Sequence, residues 1–257
     1  MSGLHRYPDF IIAGAPRSAT TWLYVLADRH PQIAMAKPVR PEPKFFLVDD
    51  LYQRGLEHYA SRWFDALPGD RMLGEKSTDY LESSLAARRI RDSLPKVRLV
   101  FLLRDPIERA YSNYLWTRQN GMETETFERA LELEEERERN LPQSLRYARP
   151  FSYFSRGLYA EHLKRFYDLF PRGQILVLKT EDIVVDRRTV ANRFQRFIGV
   201  TTRPELADRL DPVNAVARAG DADVMRTGTR RELARRYHEP NQRLAGLLGA
   251  EFRIWSQ

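Results

Sequence analysis

The sequence predicts an α/β protein of three layers (α/β/α), with a central, mainly parallel sheet. Three observations support this prediction. The apolar run FIIAG leads through a polar turn into a helical pattern, TTWLYVLADRHP. The run VRLVFLLRD is a second buried strand that also leads directly into a helix, PIERAYSNYLWTRQNG. The order helix, turn and strand then returns in SRGLYAEHLKRFYDLFPRGQILVLKTEDIV. Such alternation of strands and helices is typical of parallel sheets.

The segments between these elements follow from their periodicity and their breakers. Prolines 38, 41 and 43 mark a turn-rich stretch ending in EPKFF, and the helical pattern RGLEHYASRWFDAL follows. RMLGEKSTDY predicts a short strand that ends at Gly74, and SLAARRIRDSL predicts a helix that stops at Pro95. Asp105 and the proline after it are a helix start signal.

The last third of the chain is predicted to be mostly helical. The acidic run ETFERALELEEERERN is interpreted as a solvated helix face rather than a ligand site. VANRFQRFIG and TRRELARRYHEPNQRLAGLLG are amphipathic, and we expect the second helix to be bent or broken at Pro240. No repeat, low-complexity tract or linker interrupts the 257 residues, so a single domain over residues 1–257 is the simplest organisation.

Composition excludes some classes of site. The absence of cysteine excludes disulfides and thiolate metal sites, and it fits a reducing compartment. No apolar run approaches the roughly 20 residues that span a bilayer, and MSGLHRYPDF is unlike a secretion signal, so we expect a cytoplasmic protein without membrane association. The net charge of +7 is compatible with an anionic ligand. We find no nucleic-acid-binding motif and expect no such partner.

The turn after the first strand, GAPRSATT, has the features of a phosphate site. The N–H groups that open a helix lack intrahelical partners and carry the positive end of its dipole. Gly14 permits a tight turn, Pro16 stiffens it and Arg17 adds a fixed positive charge. Against the Walker pattern G-x-x-x-x-G-K-[ST], Ala19 replaces the second glycine and Thr20 the lysine. The turn therefore predicts a phosphate site other than a triphosphate site; an ordinary helix-capping turn is the alternative.

A second candidate anion site follows the second strand. Arg104 lies at its carboxyl end, where ligands of open α/β sheets bind, and Ser112 lies about two turns into the next helix. A long arginine side chain and a hydroxyl can meet around one anion. Alternatively, Arg104 pairs with Asp105 or Glu108, and Ser112 only packs.

Together these segments resemble a known family. GAPRSATTWL and RDPIERAYSNY resemble the two cofactor loops of sulfotransferases that use adenosine 3'-phosphate 5'-phosphosulfate (PAPS). PEPKFF, GEKSTDYL, RGLYAEHLKRFYDLFPRGQILVL and RRELARRYHEPNQRLAGLLGAEFRIW resemble the heparan sulfate N- and 3-O-sulfotransferase domains. They occur in the family's order and span most of the chain. The resemblance implies the P-loop-like sulfotransferase fold in a soluble, bacterial-type member.

The resemblance also implies roles for individual residues. The first loop would hold the 5'-phosphosulfate, and the arginine and serine of the second would hold the 3'-phosphate, without a metal ion. The implied donor-binding residues are Gly14, Ala15, Pro16, Arg17, Ser18, Ala19, Thr20, Thr21, Trp22, Arg104 and Ser112. The implied catalytic residues are Glu42, as general base, and Arg17 and Lys76, which stabilise charge. Arg17 stands in place of the usual loop lysine, and Lys44 stands where relatives can carry a histidine.

The expected reaction is direct in-line transfer of a sulfuryl group from PAPS, which leaves adenosine 3',5'-bisphosphate (PAP). The acceptor would be a hydroxyl, or as second choice an amine, of a carbohydrate or of a glycosylated or phenolic small molecule. One alternative is a P-loop kinase using ATP and magnesium, since LVFLLRD resembles a Walker B strand. Another is an inactive nucleotide- or polyanion-binding module.

The sequence leaves the acceptor, the oligomeric state and one basic cluster open. Substrate loops are expected within residues 37–60 and 115–155. The cluster either closes over an anionic ligand or is a solvated helix face. It comprises Arg226, Arg230, Arg231, Arg235 and Arg236.

Overall fold

A computed structural model describes residues 5–210, 224–249 and 251–255. The strands are β1 (Phe10–Gly14), β2 (Ile33–Met35), β3 (Met72–Lys76), β4 (Arg98–Leu103) and β5 (Ile175–Lys179). The helices are α1 (Thr20–Asp28), α2 (Asp49–Tyr52), α3 (Gly55–Trp63), α4 (Ser84–Ser93), α5 (Pro106–Gln119), α6 (Phe127–Arg139), α7 (Tyr159–Leu169), α8 (Thr180–Ile198) and α9 (Thr227–Leu248). The described residues form two compact units. The first unit comprises residues 5–103 and 165–210, and the second comprises the rest.

The first unit is built on a five-stranded sheet with the strand order β2-β3-β1-β4-β5, in which each neighbouring pair is parallel. This confirms the predicted parallel α/β fold. Ile12 of β1 lies opposite Lys76 of β3 and Val100 of β4, so the three strands end at one edge of the sheet. That edge carries the polar turns that the sequence singled out.

Alternating strand residues distribute the core between the two faces of the sheet. Phe10, Ile12 and Val100 belong to one cluster with the buried faces of α1 and α8. On the opposite face, Phe101 packs against Phe166 of α7, with their rings 4.9 Å apart. Each such side chain contributes about 1.5–3 kcal/mol when it is fully buried. Helices therefore cover both faces, as the alternating pattern predicted.

The second unit packs α5, α6 and α9 around its own apolar cluster. Ile107 and Tyr114 of α5 meet Phe127 of α6 and Tyr237 of α9, together with Tyr153 from the segment between α6 and α7. Asp105 caps α5 as predicted, because its carboxylate accepts a hydrogen bond from the N–H of the second helical residue.

One boundary prediction is wrong, and another is contradicted in part. β3 does not end at Gly74 but continues to Lys76, because Glu75 and Lys76 also pair with Ile11 and Ile12 of β1. α9 was expected to be bent or broken at Pro240, and a break is excluded, since the helix runs to Leu248 with this proline buried inside it. A proline removes one helical hydrogen bond, and the buried side chains before and after it keep the helix continuous.

None of the helices in the described ranges combines the length and the apolar character that a membrane span requires.

Candidate active site

The turn between β1 and α1, residues 14–21, is here called the phosphate loop. It begins with a glycine that has no room for a side chain. A Cβ at Gly14 would lie 2.6 Å from the Cβ of Leu81 and 3.2 Å from the carbonyl oxygen of Thr78. The close approach places the start of the loop directly against the chain that follows β3.

Two residues of the phosphate loop adopt left-handed backbone conformations. Arg17 has φ of 66° and Ala19 has φ of 57°. Ala19 occupies the position of the second Walker glycine, the residue best suited to this conformation. An alanine or arginine held there costs roughly 1 kcal/mol or more. The loop thus keeps the shape that a glycine would favour, although no glycine is present at either position.

The start of α1 is open to an anion. Ala19 provides no side-chain cap, so the first N–H groups of the helix donate no hydrogen bond to an N-cap side chain. Ser18 is completely buried, and its hydroxyl has no hydrogen-bond partner among the described residues. A buried hydroxyl left unpaired costs about 1–3 kcal/mol. The loop therefore fits a phosphate ligand that accepts hydrogen bonds from this hydroxyl and these N–H groups.

The other members of the predicted loop set line the same turn. Pro16, Thr20 and Trp22 are buried, whereas Arg17 and Thr21 are half-buried. The N–H of Ala15 donates to the carbonyl of Leu102 in β4 at 2.7 Å, which ties the loop to the central strands.

Glu42 and Lys76, predicted to be catalytic, are in direct contact. The Lys76 ammonium is hydrogen-bonded to Glu42 Oε1, and the two side chains are 3% and 13% exposed. Oε2 of Glu42 accepts from the N–H of Thr78 at 2.9 Å and from its hydroxyl at 3.2 Å. Three donors thus hold the carboxylate, and the ion pair offsets part of the cost of burying its charge.

Lys44, two residues further along, is held beside the same chain segment. Its backbone φ is 49°, its N–H donates to Ser77 Oγ at 2.9 Å, and its ammonium lies 2.6 Å from Asp79. Residues 41–46, here called the Glu42 loop, are therefore attached through both main chain and side chains. The attachment points all lie in residues 75–80, here called the anchor segment.

Arg104 and Ser112 belong to the second unit. The carbonyl of Arg104 accepts a hydrogen bond from the Tyr159 hydroxyl at 2.9 Å. Its guanidinium lies 3.9 Å from Glu108, one turn before Ser112 on α5, and the Arg104 and Glu108 side chains are 30% and 37% exposed. A pair so long and so exposed is worth less than about 1 kcal/mol. The predicted alternative partner is present, but the pairing is weak enough for an anion to compete.

The basic cluster is divided between acidic and aromatic partners within the second unit. Arg230 lies 2.5 Å from Glu108, and Arg235 pairs with Glu232 on the same helix. Arg236 lies over the Phe154 ring, 3.8 Å from its centre. The exposed pair on one helix supports the solvated-face alternative for Arg235. Residues 218–223, which precede this cluster, lie outside the described residues.

The sequence analysis missed Thr78, Ser77 and Tyr159. Thr78 holds the Glu42 carboxylate, Ser77 holds the Glu42 loop, and Tyr159 holds the main chain of Arg104. A signal existed only for Thr78, which lies two residues after Lys76 and so, in extended chain, on the same side. In the described part of the chain, no group of three or more acids or histidines is arranged to hold a metal ion.

The fold and the site define a class before any comparison. A parallel sheet whose central strand leads through a tight turn into the N-terminus of a helix is typical of α/β proteins that bind phosphate groups there. The sulfotransferase domain family model matches residues 7–214. The chain therefore belongs to the sulfotransferase domain family, which confirms the family predicted from its motifs.

Two curated human relatives and one solved structure specify the likeness. The chain is 30% identical over 201 residues to bifunctional heparan sulfate N-deacetylase/N-sulfotransferase 3, covering 76% of this chain and 22% of that protein. It is 31% identical over 198 residues to heparan sulfate glucosamine 3-O-sulfotransferase 6, covering 77% and 54%. The crystal structure of a sulfotransferase from Alicyclobacillus acidocaldarius superposes with a TM-score of 0.78 at 28% identity, covering 94% and 96%. The chain thus spans about a fifth of the first relative and about half of the second.

Proposed function

We propose that the protein is a PAPS-dependent sulfotransferase. The observation that carries the proposal is that Thr78 adjoins both the phosphate loop and the candidate base. Its N–H binds the Glu42 carboxylate, and its carbonyl oxygen lies against Gly14. A bound phosphosulfate and a proton acceptor would therefore be neighbours, as a sulfuryl transfer to a hydroxyl requires.

We assign the binding of PAPS to the two loops that the sequence indicated. The unpaired Ser18 hydroxyl, the open N–H groups of α1 and the Arg17 guanidinium would hold the 5'-phosphosulfate. Arg104 and Ser112 would hold the 3'-phosphate. We further propose that residues 1–257 act as one sulfotransferase domain, because the family match over residues 7–214 includes parts of both units.

PAPS, when bound, supplies a sulfuryl group that is already attached to a leaving phosphate. Glu42 takes the proton of the acceptor hydroxyl while the acceptor oxygen–sulfur bond forms and the sulfur–phosphate oxygen bond breaks. Lys76 and Arg17 stabilise the negative charge that develops on the sulfuryl and leaving oxygens. Arg17 acts as a fixed cation, because a guanidinium cannot readily release a proton to the leaving group. No metal ion is needed in this scheme.

The proposed acceptor is a hydroxyl, or as second choice an amine, of a carbohydrate or of a glycosylated or phenolic small molecule. The carbohydrate choice is supported by two relatives named for heparan sulfate and for its glucosamine. A panel of p-nitrophenol, a glucosamine oligosaccharide, heparosan and a phenolic glycoside, each with radiolabelled PAPS, separates these classes by the labelled product.

Donor binding is tested first by calorimetry with PAP and with ATP, each with and without magnesium. We expect PAP to bind independently of magnesium and more tightly than ATP. Arg104→Ala should weaken PAP binding about 10- to 100-fold, because charge-assisted hydrogen bonds are worth about 1.5–3 kcal/mol. Arg129→Ala, at an exposed arginine of the same unit, is the matched control and should leave the affinity unchanged.

Each alternative has its own outcome in these measurements. Tighter, magnesium-dependent binding of ATP would replace the sulfotransferase proposal with a kinase. Tight PAP binding without sulfuryl transfer to any acceptor of the panel would favour an inactive binding module. Equal losses of PAP affinity in Arg104→Ala and Arg129→Ala would remove Arg104 from the donor site.

A further inference from the structure

We propose that Thr78 is a positioning residue, which occupies Oε2 of the general base Glu42 and so leaves Oε1 to take the acceptor's proton. The inference rests on the proposed function, because it presupposes that Glu42 is the base. Thr78 lies two residues after the end of β3 and is only 7% exposed. It donates both its main-chain N–H and its hydroxyl to the Glu42 carboxylate, at 2.9 and 3.2 Å.

The main chain of Thr78 is fixed against the central strand β1. The N–H of Ser77 donates to the carbonyl of Ile12 at 3.1 Å. The carbonyl oxygen of Thr78 lies against Gly14, where a Cβ would approach it to 3.2 Å. These two contacts lie on either side of the planar peptide group that carries the Thr78 N–H. The direction from which this N–H reaches Glu42 is therefore set by the sheet.

The two oxygens of the Glu42 carboxylate are unequally occupied. A carboxylate offers about two hydrogen-bond acceptor sites on each oxygen. Oε2 accepts the N–H of Thr78 and is also the oxygen nearer to its hydroxyl, which lies 3.4 Å from Oε1. Oε1 accepts the Lys76 ammonium. Among the described residues, only Lys76 and Thr78 donate to this carboxylate, so one acceptor site on Oε1 is left for the substrate.

The open site on Oε1 lies beside the cation that we assign to charge stabilisation. Oε1 takes the proton of the acceptor hydroxyl, which makes Glu42 a neutral acid. In the same step the acceptor oxygen–sulfur bond forms and the bond between sulfur and the leaving phosphate oxygen breaks. Lys76 keeps its own proton and stabilises charge on the sulfuryl oxygens. One cation thus serves both the proton acceptor and the transferred group, which keeps the two close together.

The test is Thr78→Val, which keeps the main-chain N–H and the shape of the side chain but removes the hydroxyl. We expect kcat for the fastest acceptor of the panel to fall about tenfold, because Oε2 gains an open site and the carboxylate is no longer held with Oε1 toward the acceptor. The KM of the acceptor and the Kd of PAP should stay within twofold. Thr78→Ser, which retains the hydroxyl, should keep at least half of the wild-type kcat.

The matched control is Thr189→Val in the same unit. Thr189 also donates its N–H and its hydroxyl to a single carboxylate, that of Asp186 in α8, at 3.0 and 2.7 Å. It has no assigned role in the site. Thr189→Val therefore removes the same kind of contact and should leave kcat unchanged.

Three outcomes overturn the proposal. The first is an unchanged kcat in Thr78→Val, or an equal loss in Thr189→Val. The second is a higher kcat in Thr78→Val, because it would mean that the freed Oε2 takes the proton. The third is an active Thr78→Val beside an impaired Thr78→Ser, which would assign Thr78 a packing role through its methyl group. If Thr78→Val does not fold, Thr78→Ala removes the same hydroxyl without the second methyl group and carries the same expectations.

Failure of the proposed function is separated from failure of this inference by Glu42→Gln. If Glu42→Gln keeps full turnover, the base assignment falls, and the role of Thr78 falls with it. If Glu42→Gln is impaired, adding Thr78→Val to it should lower kcat by less than a further twofold, because Thr78 acts only through Glu42. A further tenfold loss in the double variant would leave the base assignment standing and overturn the role of Thr78.

Discussion

The Glu42 loop and helix α6 use glutamates in opposite ways. Glu42 is a single acid in a proline-rich loop, and its carboxylate is shared between the Lys76 ammonium and Thr78. Glu134, in the most acidic stretch of the chain, is also buried, but it accepts the N–H groups of Phe154 and Ser155 at 2.6 and 2.8 Å. The lysine beside Glu42 is a group that can take part in chemistry on a bound ligand. The two main-chain N–H groups that bind Glu134 indicate a structural role instead.

Helix α6 also qualifies the interpretation of its sequence as a solvated face. Glu132, Glu135 and Glu136 are exposed, as expected. Glu134 contradicts the expectation, and the half-buried Glu138 contacts Arg149, 2.5 Å away. The high density of acids in this stretch therefore did not indicate which glutamates are solvated and which make structural contacts.

Residues 148–157 contain the partners of Glu134 and Glu138, and other helices of the second unit bind them as well. Arg109 of α5 donates to the carbonyl of Tyr153, and the Tyr237 hydroxyl of α9 donates to that of Phe154 at 2.7 Å. Residues 148–157 were expected to fall partly within a substrate loop. Their main chain is occupied by structural hydrogen bonds, so in this segment chemistry would have to come from side chains.

The largest expected effect sharpens the comparison at Glu42. Glu42→Gln should lower kcat about 10²- to 10⁴-fold, because a general base contributes that much. Affinity for PAP should stay within twofold. Steady-state kinetics beside calorimetry measures both, and Glu132→Gln, on the exposed face of α6, is the control. Undiminished turnover would make Glu42 a brace like Glu134.

The next effect concerns stability at Glu134. Glu134→Gln should lower the free energy of unfolding by about 2 kcal/mol, because the amide can accept only one of the two N–H groups well and leaves the other unpaired. Urea unfolding measures the loss, with Glu135→Gln as the exposed control. The folded variant should keep its kcat. A loss of kcat at unchanged stability would break the comparison.

The smallest effect is a pH dependence in the second unit. Burial opposes the charge of Glu123, but hydrogen bonds from Arg137 and Tyr153 outweigh it and lower its pKa from the ordinary 4.5. The stability it contributes is complete above the ordinary value and is lost as the pH falls through the lowered one. Glu123→Gln should therefore flatten the decline of unfolding free energy below about pH 4.5. The measurement is urea unfolding of both proteins from pH 6 to about 3. If the slope of unfolding free energy against pH is the same in the variant, Glu123 is not the origin of the decline.

Much of the candidate site could be predicted because its signals are local or belong to a family pattern. The strand, turn and helix around Gly14 are contiguous, and the resemblance assigned Glu42 and Lys76, which the structure brings together. The left-handed backbone of Ala19 could not be predicted, because alanine disfavours it and only the closed loop imposes it. The hydroxyls that hold the Glu42 loop were missed for a different reason, since they lie more than 30 residues away in the chain.

The sequence by itself determined the family, the parallel sheet and the composition of the phosphate loop, because hydrophobic periodicity and loop chemistry are properties of short segments. The tertiary structure alone decided which acids are buried, and against what. Glu75 and Glu134 are buried, whereas Glu57, Glu132 and Glu135 are exposed, although all are glutamates. Their burial depends on partners from distant segments, namely Tyr59 for the first and Phe154 for the second. A buried carboxylate loses its hydration, and the protein groups that bind it instead determine its role. Those groups come from distant segments of the chain, so only the tertiary structure identifies them.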